Sequence, residues 1–198
     1  MLNEIVGSVV QLLLFSLIPV LVWVITARKK ESFFTWIGLK KPVCPEAGKT
    51  LGLTLLATAG YIAAMLLSIR ILPEGVTTAG SQFAGQGLSM IPAAVFYAFV
   101  RTALSEEIVF RGFLLKRLQS RFGFVSANTI QAVLFGMLHG IPFFLVTRSV
   151  GSLLLLTLLP ALFGWFEGWL NEKRCDGSIV PSWILHGCVN LVTTILSL

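Results

Sequence analysis

The fold class is decided by the stretch Leu153–Leu170, which reads LLLLTLLPALFGWFEGWL and carries one charged residue, Glu167. A second run, Leu51–Leu72, is equally apolar and carries a single charge, Arg70. A membrane-spanning α-helix needs about 20 predominantly apolar residues, whereas a transmembrane barrel shows strands of about 10 residues with alternating polarity. These unbroken runs therefore predict membrane helices.

The composition of the 198-residue chain favours the same class. Hydrophobic residues make up 56% of the chain and charged residues only 12%, against about 25% charged residues in an ordinary soluble domain. Such a chain has too little polar surface for a soluble globule and too much apolar surface for disorder. Three cysteines, Cys44, Cys175 and Cys188, are too few for a disulfide-stapled secreted domain. We therefore expect an integral membrane protein.

The apolar segments predict an all-α, polytopic helical bundle that forms a single integral membrane domain over residues 1–198. About six transmembrane helices are expected, at Ile5–Ala27, Thr50–Leu72, Ser89–Leu115, Val125–Val146, Gly151–Leu170 and Ile179–Leu198. The amino-terminal stretch is too long for a cleavable signal peptide and lacks a basic n-region.

The distribution of Lys and Arg predicts the orientation of the bundle. Three alternate loops carry 11 basic residues: Arg28, Lys29, Lys30, Lys40, Lys41, Lys49, Lys116, Arg117, Arg121, Lys173 and Arg174. The opposite loops carry only Arg70 and Arg148. The positive-inside rule then places the basic loops in the cytoplasm and both termini outside it. We interpret the net charge of +6 as a topology signal and a contact for anionic lipid headgroups, and expect no nucleic-acid partner.

The third segment contains three ionisable residues, Glu106, Glu107 and Arg111. Each costs at least about 2.5–3.5 kcal/mol in hydrocarbon on insertion scales, so each is a candidate functional residue. Glu107 and Arg111 are four residues apart and share a helix face, in the favourable order for an ion pair. Glu106 lies about 100° away around the helix and faces a different neighbour. A buried network that only packs helices together is the structural alternative.

The two histidines of the chain, His139 and His186, both lie within predicted membrane segments. Asn190 follows His186 by four residues and shares its helix face. A rise of about 1.5 Å per residue puts Glu106, His139 and His186 at similar depths, slightly to the cytoplasmic side of the midplane. We therefore expect the three helices to bring these side chains together.

The three motifs are Glu106-Glu107-Ile-Val-Phe-Arg111, Phe135-Gly-Met-Leu-His139 and His186-Gly-Cys-Val-Asn190. In this order they resemble the CAAX protease and bacteriocin-processing family, also called Abi proteins. These are intramembrane glutamic proteases related to the type II CAAX prenyl endopeptidase. The resemblance covers about residues 89–198, the expected catalytic core, and none is claimed for residues 1–88.

The resemblance implies an intramembrane endopeptidase that hydrolyses a peptide bond without a cofactor. Glu106 and His139 would activate the attacking water, and His186 and Asn190 would stabilise the oxyanion. The supporting residues would be Glu107, Arg111 and Phe135. The substrate would be a membrane-associated peptide or protein, cut near the cytoplasmic leaflet of a bacterial-type cytoplasmic membrane, and the sequence makes no prediction about oligomeric state.

Three alternatives to this function remain at the level of sequence. A zinc-dependent hydrolase could use Glu106, His139 and His186 as ligands. A non-catalytic membrane protein, such as a bacteriocin self-immunity factor or a scaffold, needs no catalysis. A proton-coupled transporter uses Glu and His chains as well, but the chain shows no inverted repeat.

Three further residues receive a prediction. Cys188 lies on a different helix face from His186, and Ser105 lacks the Gly-x-Ser-x-Gly context of a serine nucleophile. We therefore expect neither residue to act as a nucleophile. Glu167 has aromatic neighbours typical of a membrane-boundary belt, and we expect it at the membrane interface near a cytoplasmic helix end.

Overall fold

The structure of the chain, a computed structural model, describes residues 2–69 and 79–196. Arg70, Leu72 and Leu198, which enter the predictions above, lie outside the described residues. Within the described residues every regular element is helical, as the sequence predicts.

Seven helices are labelled in chain order. The first three are α1 Leu2–Thr26, α2 Phe33–Ile37 and α3 Ala47–Ile69, and short 3₁₀ turns follow at Ala79–Phe83 and Leu88–Met90. Helix α4 is continuous but is built from Ile91–Phe96, Tyr97–Leu104, Ser105–Glu107 and Ile108–Leu115. The last three are α5 Lys116–Thr147, α6 Val150–Trp169, which continues through a wide turn at Leu170–Arg174, and α7 Val180–Ile195.

Each of the six predicted segments corresponds to a helix within the described residues, which confirms the helical bundle. Within the described residues, four stretches are long and apolar enough to cross a membrane: Leu2–Thr26, Ala47–Ser68, Leu88–Thr147 and Val150–Arg174. The 60-residue stretch contains two passes, because the chain bends at Gly123, whose φ of 73° suits a residue without a Cβ atom. Helix α7 is apolar but has only 16 residues, so it is about 24 Å long.

Helix α4 departs from regular α-helical geometry around its acidic pair. The segments on either side of Ser105–Glu107 are π-helical, a rare geometry that is often found at functional sites. The wider turn is visible in the side chains, because the Ser105 hydroxyl donates to the carbonyl of Val100, five residues earlier, at 3.2 Å. The turn therefore changes which residues share a face with Glu106.

The three Lys/Arg-rich loops meet at one end of the bundle, which we call the basic end (residues 27–46, 116–123 and 170–179). A disulfide joins Cys44 to Cys175, and the Lys116 ammonium pairs with Glu172 at 2.6 Å. The backbone N–H of Ile179 donates to the carbonyl of Gly38 at 2.9 Å. The opposite end, which we call the distal end, is formed by residues 79–90 and 147–150 and by the start of α1. Which end faces the cytoplasm stays a prediction.

The interior of the bundle is unusually polar, whereas its outer surface is apolar. Leu13 on α1 and Leu162 on α6 are 65% and 68% exposed, as expected for side chains that face lipid. The fully buried polar side chains include those of Glu107, Arg111, Asn128, Gln131, Glu167 and Asn171. This distribution fits a membrane protein whose ionisable residues face the bundle interior.

Small residues allow the helices around this interior to approach closely. A Cβ atom on Gly136 would lie 2.8 Å from the Cβ of Ala161, which brings α5 against α6. A Cβ atom on Gly187 would clash with the ring of Phe99, so the glycine lets α7 pack directly against α4. Helix α5 thus packs antiparallel to both α4 and α6 and carries His139 into the interior.

Candidate active site

Five helices enclose a cavity of about 580 Å³ in the interior of the bundle. Glu106 of α4, His139 of α5, and His186 and Asn190 of α7 all line it. The remaining lining is mostly aliphatic and aromatic and includes residues of α3 and α6. The four residues that sequence analysis singled out therefore face one common space.

Glu106 lines this cavity, and one of its carboxylate oxygens makes no hydrogen bond within the described residues. Its side chain is 18% exposed, and its Oε2 atom lies 3.6 Å from Nε2 of His186. The Oε2 atom is buried and accepts no hydrogen bond from the described residues. Buried carboxylate oxygens are normally hydrogen-bonded, so Oε2 keeps an unused capacity to accept a hydrogen bond.

Glu107 lies in the opposite situation, because it is completely buried and its carboxylate is surrounded by partners. Oε1 lies 3.1 Å from Nδ1 of His186 and 3.1 Å from the Arg111 guanidinium. The Ser182 hydroxyl donates to Oε2. The contact with Nδ1 orients the imidazole so that its Nε2 atom points toward Glu106.

Arg111 bridges two carboxylates in the fully buried part of the site. Besides Glu107 it pairs with Glu167 of α6, and its guanidinium stacks over the Phe135 ring at 4.3 Å. The supporting pair and Phe135, expected from sequence, are thus in contact. Arginine suits this position because its planar guanidinium serves two carboxylates and an aromatic face together.

The prediction for Glu167 is wrong. Its side chain is fully buried and ion-paired with Arg111, not at the membrane interface. The physical reason is the absence of a side chain at Gly164, which lets the helix approach Arg111 closely. A Cβ atom at this position would lie 2.8 Å from the guanidinium. Gly164 and Gly168 flank Glu167 at helical spacing and let α6 approach α4, a signal that the aromatic neighbours concealed.

His139 is held by its own helix. Its Nδ1 atom is 2.8 Å from the carbonyl of Phe135, one turn earlier, and its ring packs on the Phe135 ring at 4.6 Å between centroids. With Nδ1–H as the donor, Nε2 carries a lone pair that the described residues do not use. No ion pair joins His139 to Glu106 within the described part of the chain, although both line the cavity.

Asn190 is oriented by Thr102 of α4. Its side-chain amide donates to the Thr102 hydroxyl at 2.9 Å, and that hydroxyl donates in turn to the carbonyl of Ala98 at 2.9 Å. One amide hydrogen of Asn190 is therefore committed to Thr102, and the second remains for the cavity. Thr102 also lines the cavity, and sequence analysis missed its role.

Two more polar residues were missed at the level of sequence. The Asn171 amide donates to the Ser182 hydroxyl at 2.7 Å, and the backbone N–H of Ser182 donates to the Asn171 oxygen at 3.3 Å. These contacts connect the turn after α6 to Glu107 through Ser182. Both residues are polar positions inside apolar segments, but their spacing does not reveal the partner on another helix.

The residues that could hold a metal ion in the structure differ from the predicted zinc ligands. Within the described residues, a group whose ligand atoms lie within 4.8 Å of one another consists of Glu107, Glu167 and His186. The predicted alternative ligands Glu106 and His139 do not belong to this group. The Arg111 guanidinium already pairs with both of its carboxylates.

The two possible nucleophiles lie away from the cavity. Ser105 is fully buried and bonded to the Val100 carbonyl, and Cys188 is a free cysteine on the exposed surface of α7. Neither residue lines the cavity within the described part of the chain. The geometry thus agrees with the expectation that neither is a nucleophile.

Comparison with known proteins gives one match. No curated protein and no solved structure matches the chain. A family model described as type II CAAX prenyl endopeptidase Rce1-like matches residues 88–192, which is more than half of the chain and contains all three motifs. The resemblance found in the motifs is thereby confirmed, and the chain belongs to this Rce1-like family of membrane proteases.

Proposed function

We propose that the protein is an intramembrane endopeptidase in which side chains activate water directly. One observation carries the proposal: Glu106, His139, His186 and Asn190, drawn from three helices, line the same cavity. Amide hydrolysis needs a base for water, donors for the developing oxyanion and a proton for the leaving amine. The four side chains supply each of these functions.

Glu106 and His139 are proposed to bind and activate the water. Oε2 of Glu106 and Nε2 of His139 are acceptors that make no hydrogen bond within the described residues, and both residues line the cavity. The water oxygen attacks the peptide carbonyl carbon while its proton passes to Glu106. The same proton is then delivered to the amide nitrogen as the carbon–nitrogen bond breaks. General acid–base catalysis of this kind contributes typically about 10²–10⁴-fold.

His186 and Asn190 are proposed to stabilise the oxyanion. If both nitrogens carry a proton, the imidazole donates from Nδ1 to Glu107, and its Nε2–H lies beside Glu106 at the edge of the cavity. The second amide hydrogen of Asn190 supplies another donor, one helical turn away. Removal of one such donor costs about 2.7–4 kcal/mol of transition-state stabilisation.

Glu107, Arg111 and Phe135 are proposed to hold these groups in place. Glu107 fixes the His186 ring, Arg111 holds Glu107 and Glu167, and Phe135 packs under the guanidinium and beside both imidazoles. A buried, ion-paired set of this kind keeps the donors in one orientation before the substrate arrives.

We propose that the reaction uses no metal or other cofactor. The alternative, a zinc hydrolase with Glu106, His139 and His186 as ligands, would need these atoms at coordination distances of about 2.0–2.2 Å from one ion. Glu106 and His139 do not belong to the group of close ligand atoms. This difference favours direct activation of water.

The proposed substrate is a membrane-associated peptide or protein, and the proposed location is a bacterial-type cytoplasmic membrane. The apolar outer surface supports contact with the lipid bilayer as the surrounding partner. We propose no nucleic-acid partner, because the basic residues are distributed as topology signals at one end of the bundle. A prenyl group on the substrate is not required by this proposal.

The proposal is tested with purified protein in detergent and a library of quenched peptides. We expect cleavage by the native chain and a loss of about 10²–10⁴-fold in Glu106→Gln. Ser105→Ala is the matched control, because it changes the preceding residue, which does not line the cavity. Retention of the native rate in Glu106→Gln would contradict the proposal. A cellular phenotype that survives this substitution would favour the non-catalytic self-immunity or scaffold function.

A further inference from the structure

Glu167 belongs to none of the three motifs, yet it lies among the residues proposed to act in catalysis. It is part of α6, and its side chain has no exposed surface. Its Oε2 atom pairs with the Arg111 guanidinium of α4. Its Oε1 atom lies 3.9 Å from Nδ1 of His186 and makes no hydrogen bond within the described residues. A third helix thus adds a carboxylate to the surroundings of His186.

Arg111 connects Glu167 to the carboxylate that holds His186. One of its terminal nitrogens lies 3.1 Å from Oε1 of Glu107, and the other pairs with Glu167. Oε1 of Glu107 is also the atom that lies 3.1 Å from Nδ1 of His186. Because the guanidinium is planar, two carboxylates from two helices and the Phe135 ring at 4.3 Å together fix its orientation. Removal of Glu167 would leave one anionic partner and would constrain Glu107 less.

The charges of this buried network match only when Glu167 is counted. The proposed oxyanion role of His186 requires a proton on both ring nitrogens, which makes the imidazole a cation. Arg111 is the second cation, and Glu107 and Glu167 are two fully buried carboxylates. Burial of a charge without a counter-charge is costly. The network therefore accommodates the cationic imidazole better with Glu167 than without it.

The other titratable side chains around His186 do not replace Glu167. They are Glu106 on α4, His139 on α5 and Tyr61 on α3. Glu106 is 18% exposed and is proposed to take the proton of the water, so its charge changes during the reaction. An imidazole and a phenol carry no negative charge near neutral pH. Within the described residues, Glu167 is the carboxylate that remains to match the charge of His186.

We propose that Glu167 is a positioning residue of the reaction, which acts through Arg111 and Glu107 to keep His186 a hydrogen-bond donor to the oxyanion. This inference rests on the proposed peptidase function and adds to it a residue outside the motifs. Glu167 is not among the described residues that line the cavity. Its contribution is therefore expected in the rate of the chemical step rather than in substrate binding.

The first test is Glu167→Gln, which removes the charge and nearly keeps the shape of the side chain. With a peptide that the native chain cleaves, we expect kcat per folded molecule to fall by about tenfold, less than the about 10²–10³-fold lost with an oxyanion donor itself. KM should stay near its native value. Glu167→Asp keeps the charge and should recover part of the rate. Glu172→Gln is the matched control, since it breaks an ion pair with Lys116 away from the cavity and should keep the native kcat.

Double variants show whether Glu167 acts through His186. Once His186→Ala has removed the imidazole, Glu167→Gln should cause no further loss of rate, because residues that act as a unit are not additive. Asn190 is oriented by Thr102 instead, so Glu167→Gln should still slow Asn190→Ala by about tenfold. A role in packing alone would lower the rate equally in both backgrounds.

Nuclear magnetic resonance of the chain labelled with ¹⁵N-histidine reads the state of His186 without any catalysis. The chain has two histidines, so His139→Asn leaves one and assigns the signals. At neutral pH we expect both ring nitrogens of His186 to give proton-bound signals in the native chain. In Glu167→Gln we expect Nε2 to give the signal of a ring nitrogen without a proton, whereas Glu172→Gln should keep the native spectrum.

The results separate the inference from the function on which it rests. A native kcat in folded Glu167→Gln, an equal loss with and without His186, or unchanged His186 signals each overturns the inference. If Glu106→Gln abolishes cleavage in the same preparations, the peptidase function stands without it. If the native chain cleaves no peptide but Glu167→Gln still changes the His186 signals, the effect of Glu167 on His186 stands and the peptidase function fails.

Discussion

Glu106 and Glu107 are adjacent in the chain, but they lie in two contrasting regions of the same interior. Glu107 belongs to a closed region in which His186, Arg111 and Ser182 contact its carboxylate. Glu106 belongs to an open region, because it lines the cavity and one of its carboxylate oxygens has no hydrogen-bond partner within the described residues. Identical side chains thus have different surroundings, and this difference is the reason why we propose a structural role for Glu107 and a chemical role for Glu106.

The closed region explains how the open region can hold reactive groups within a membrane. Each buried charge is paired, and the pairs connect α4 to α6 and α7. Because the network fixes His186 on one ring nitrogen, the other nitrogen points toward Glu106, beside the cavity that both residues line. The following predictions test whether substitutions in the closed region mainly lower stability and substitutions in the open region mainly lower activity.

The largest expected effect belongs to the closed region. Arg111→Met leaves two buried carboxylates without their cation, and removing one partner of a buried ion pair costs about 3–5 kcal/mol. We expect a large loss of thermal stability in detergent, followed by loss of activity. Lys40→Met is the control, because its pair with Asp176 is exposed and contributes about 0–1 kcal/mol. Equal stability of the two variants would refute the structural role of the network.

The next largest effect belongs to the open region. His139→Ala removes the proposed second ligand of the water, so we expect the cleavage rate to fall by about 10²–10⁴-fold. Its only hydrogen bond within the described residues is to the carbonyl of Phe135, so the unfolding temperature should change much less than in Arg111→Met. Rate and unfolding temperature measured on the same preparation check this prediction. A stability loss as large as that of Arg111→Met would place His139 in the closed region instead.

A smaller effect is expected from the single hydrogen bond that positions Asn190 in the open region. Thr102→Val removes the acceptor that orients the Asn190 amide, a bond with a net contribution of about 1 kcal/mol. The maximal rate should fall by about fivefold. Thr102→Ser keeps the hydroxyl and should restore the native rate. If the serine variant is as slow as the valine variant, the hydroxyl does not position Asn190.

The smallest effect is expected from chelation. We expect a strong chelator to leave the cleavage rate unchanged, because the proposed water is held by Glu106 and His139 without a metal. A loss of activity that added zinc restores would support the zinc alternative. A zinc-dependent peptidase of known sensitivity, treated in parallel, shows that the chelator is effective.

The sequence predicts the helical class and the four cavity residues for a simple physical reason. Long apolar runs are unfavourable in water and therefore identify membrane helices. Ionisable residues are unfavourable in lipid, so those inside such a run identify candidate functional positions. Glu106, His139 and His186 were therefore visible as exceptions within apolar segments. Their similar depth along straight helices was enough to predict convergence.

Other parts of the site depend on contacts between helices, which spacing does not reveal. Glu167 was misplaced because its aromatic neighbours resemble a membrane boundary, whereas Gly164 and Gly168 bring its helix face to Arg111. The π-helical turns of α4 also change the register of its faces in a way that no sequence period predicts. Partners such as Ser182 and Thr102 appear only once the helices are packed.

The most direct measurement compares Glu106→Gln with Glu107→Gln, two substitutions of one residue type at adjacent positions. The cleavage rate per folded molecule and the unfolding temperature are determined for both. We expect Glu106→Gln to keep the native unfolding temperature and lose cleavage, and Glu107→Gln to unfold at a clearly lower temperature. Cleavage at the native rate by folded Glu106→Gln would contradict the account.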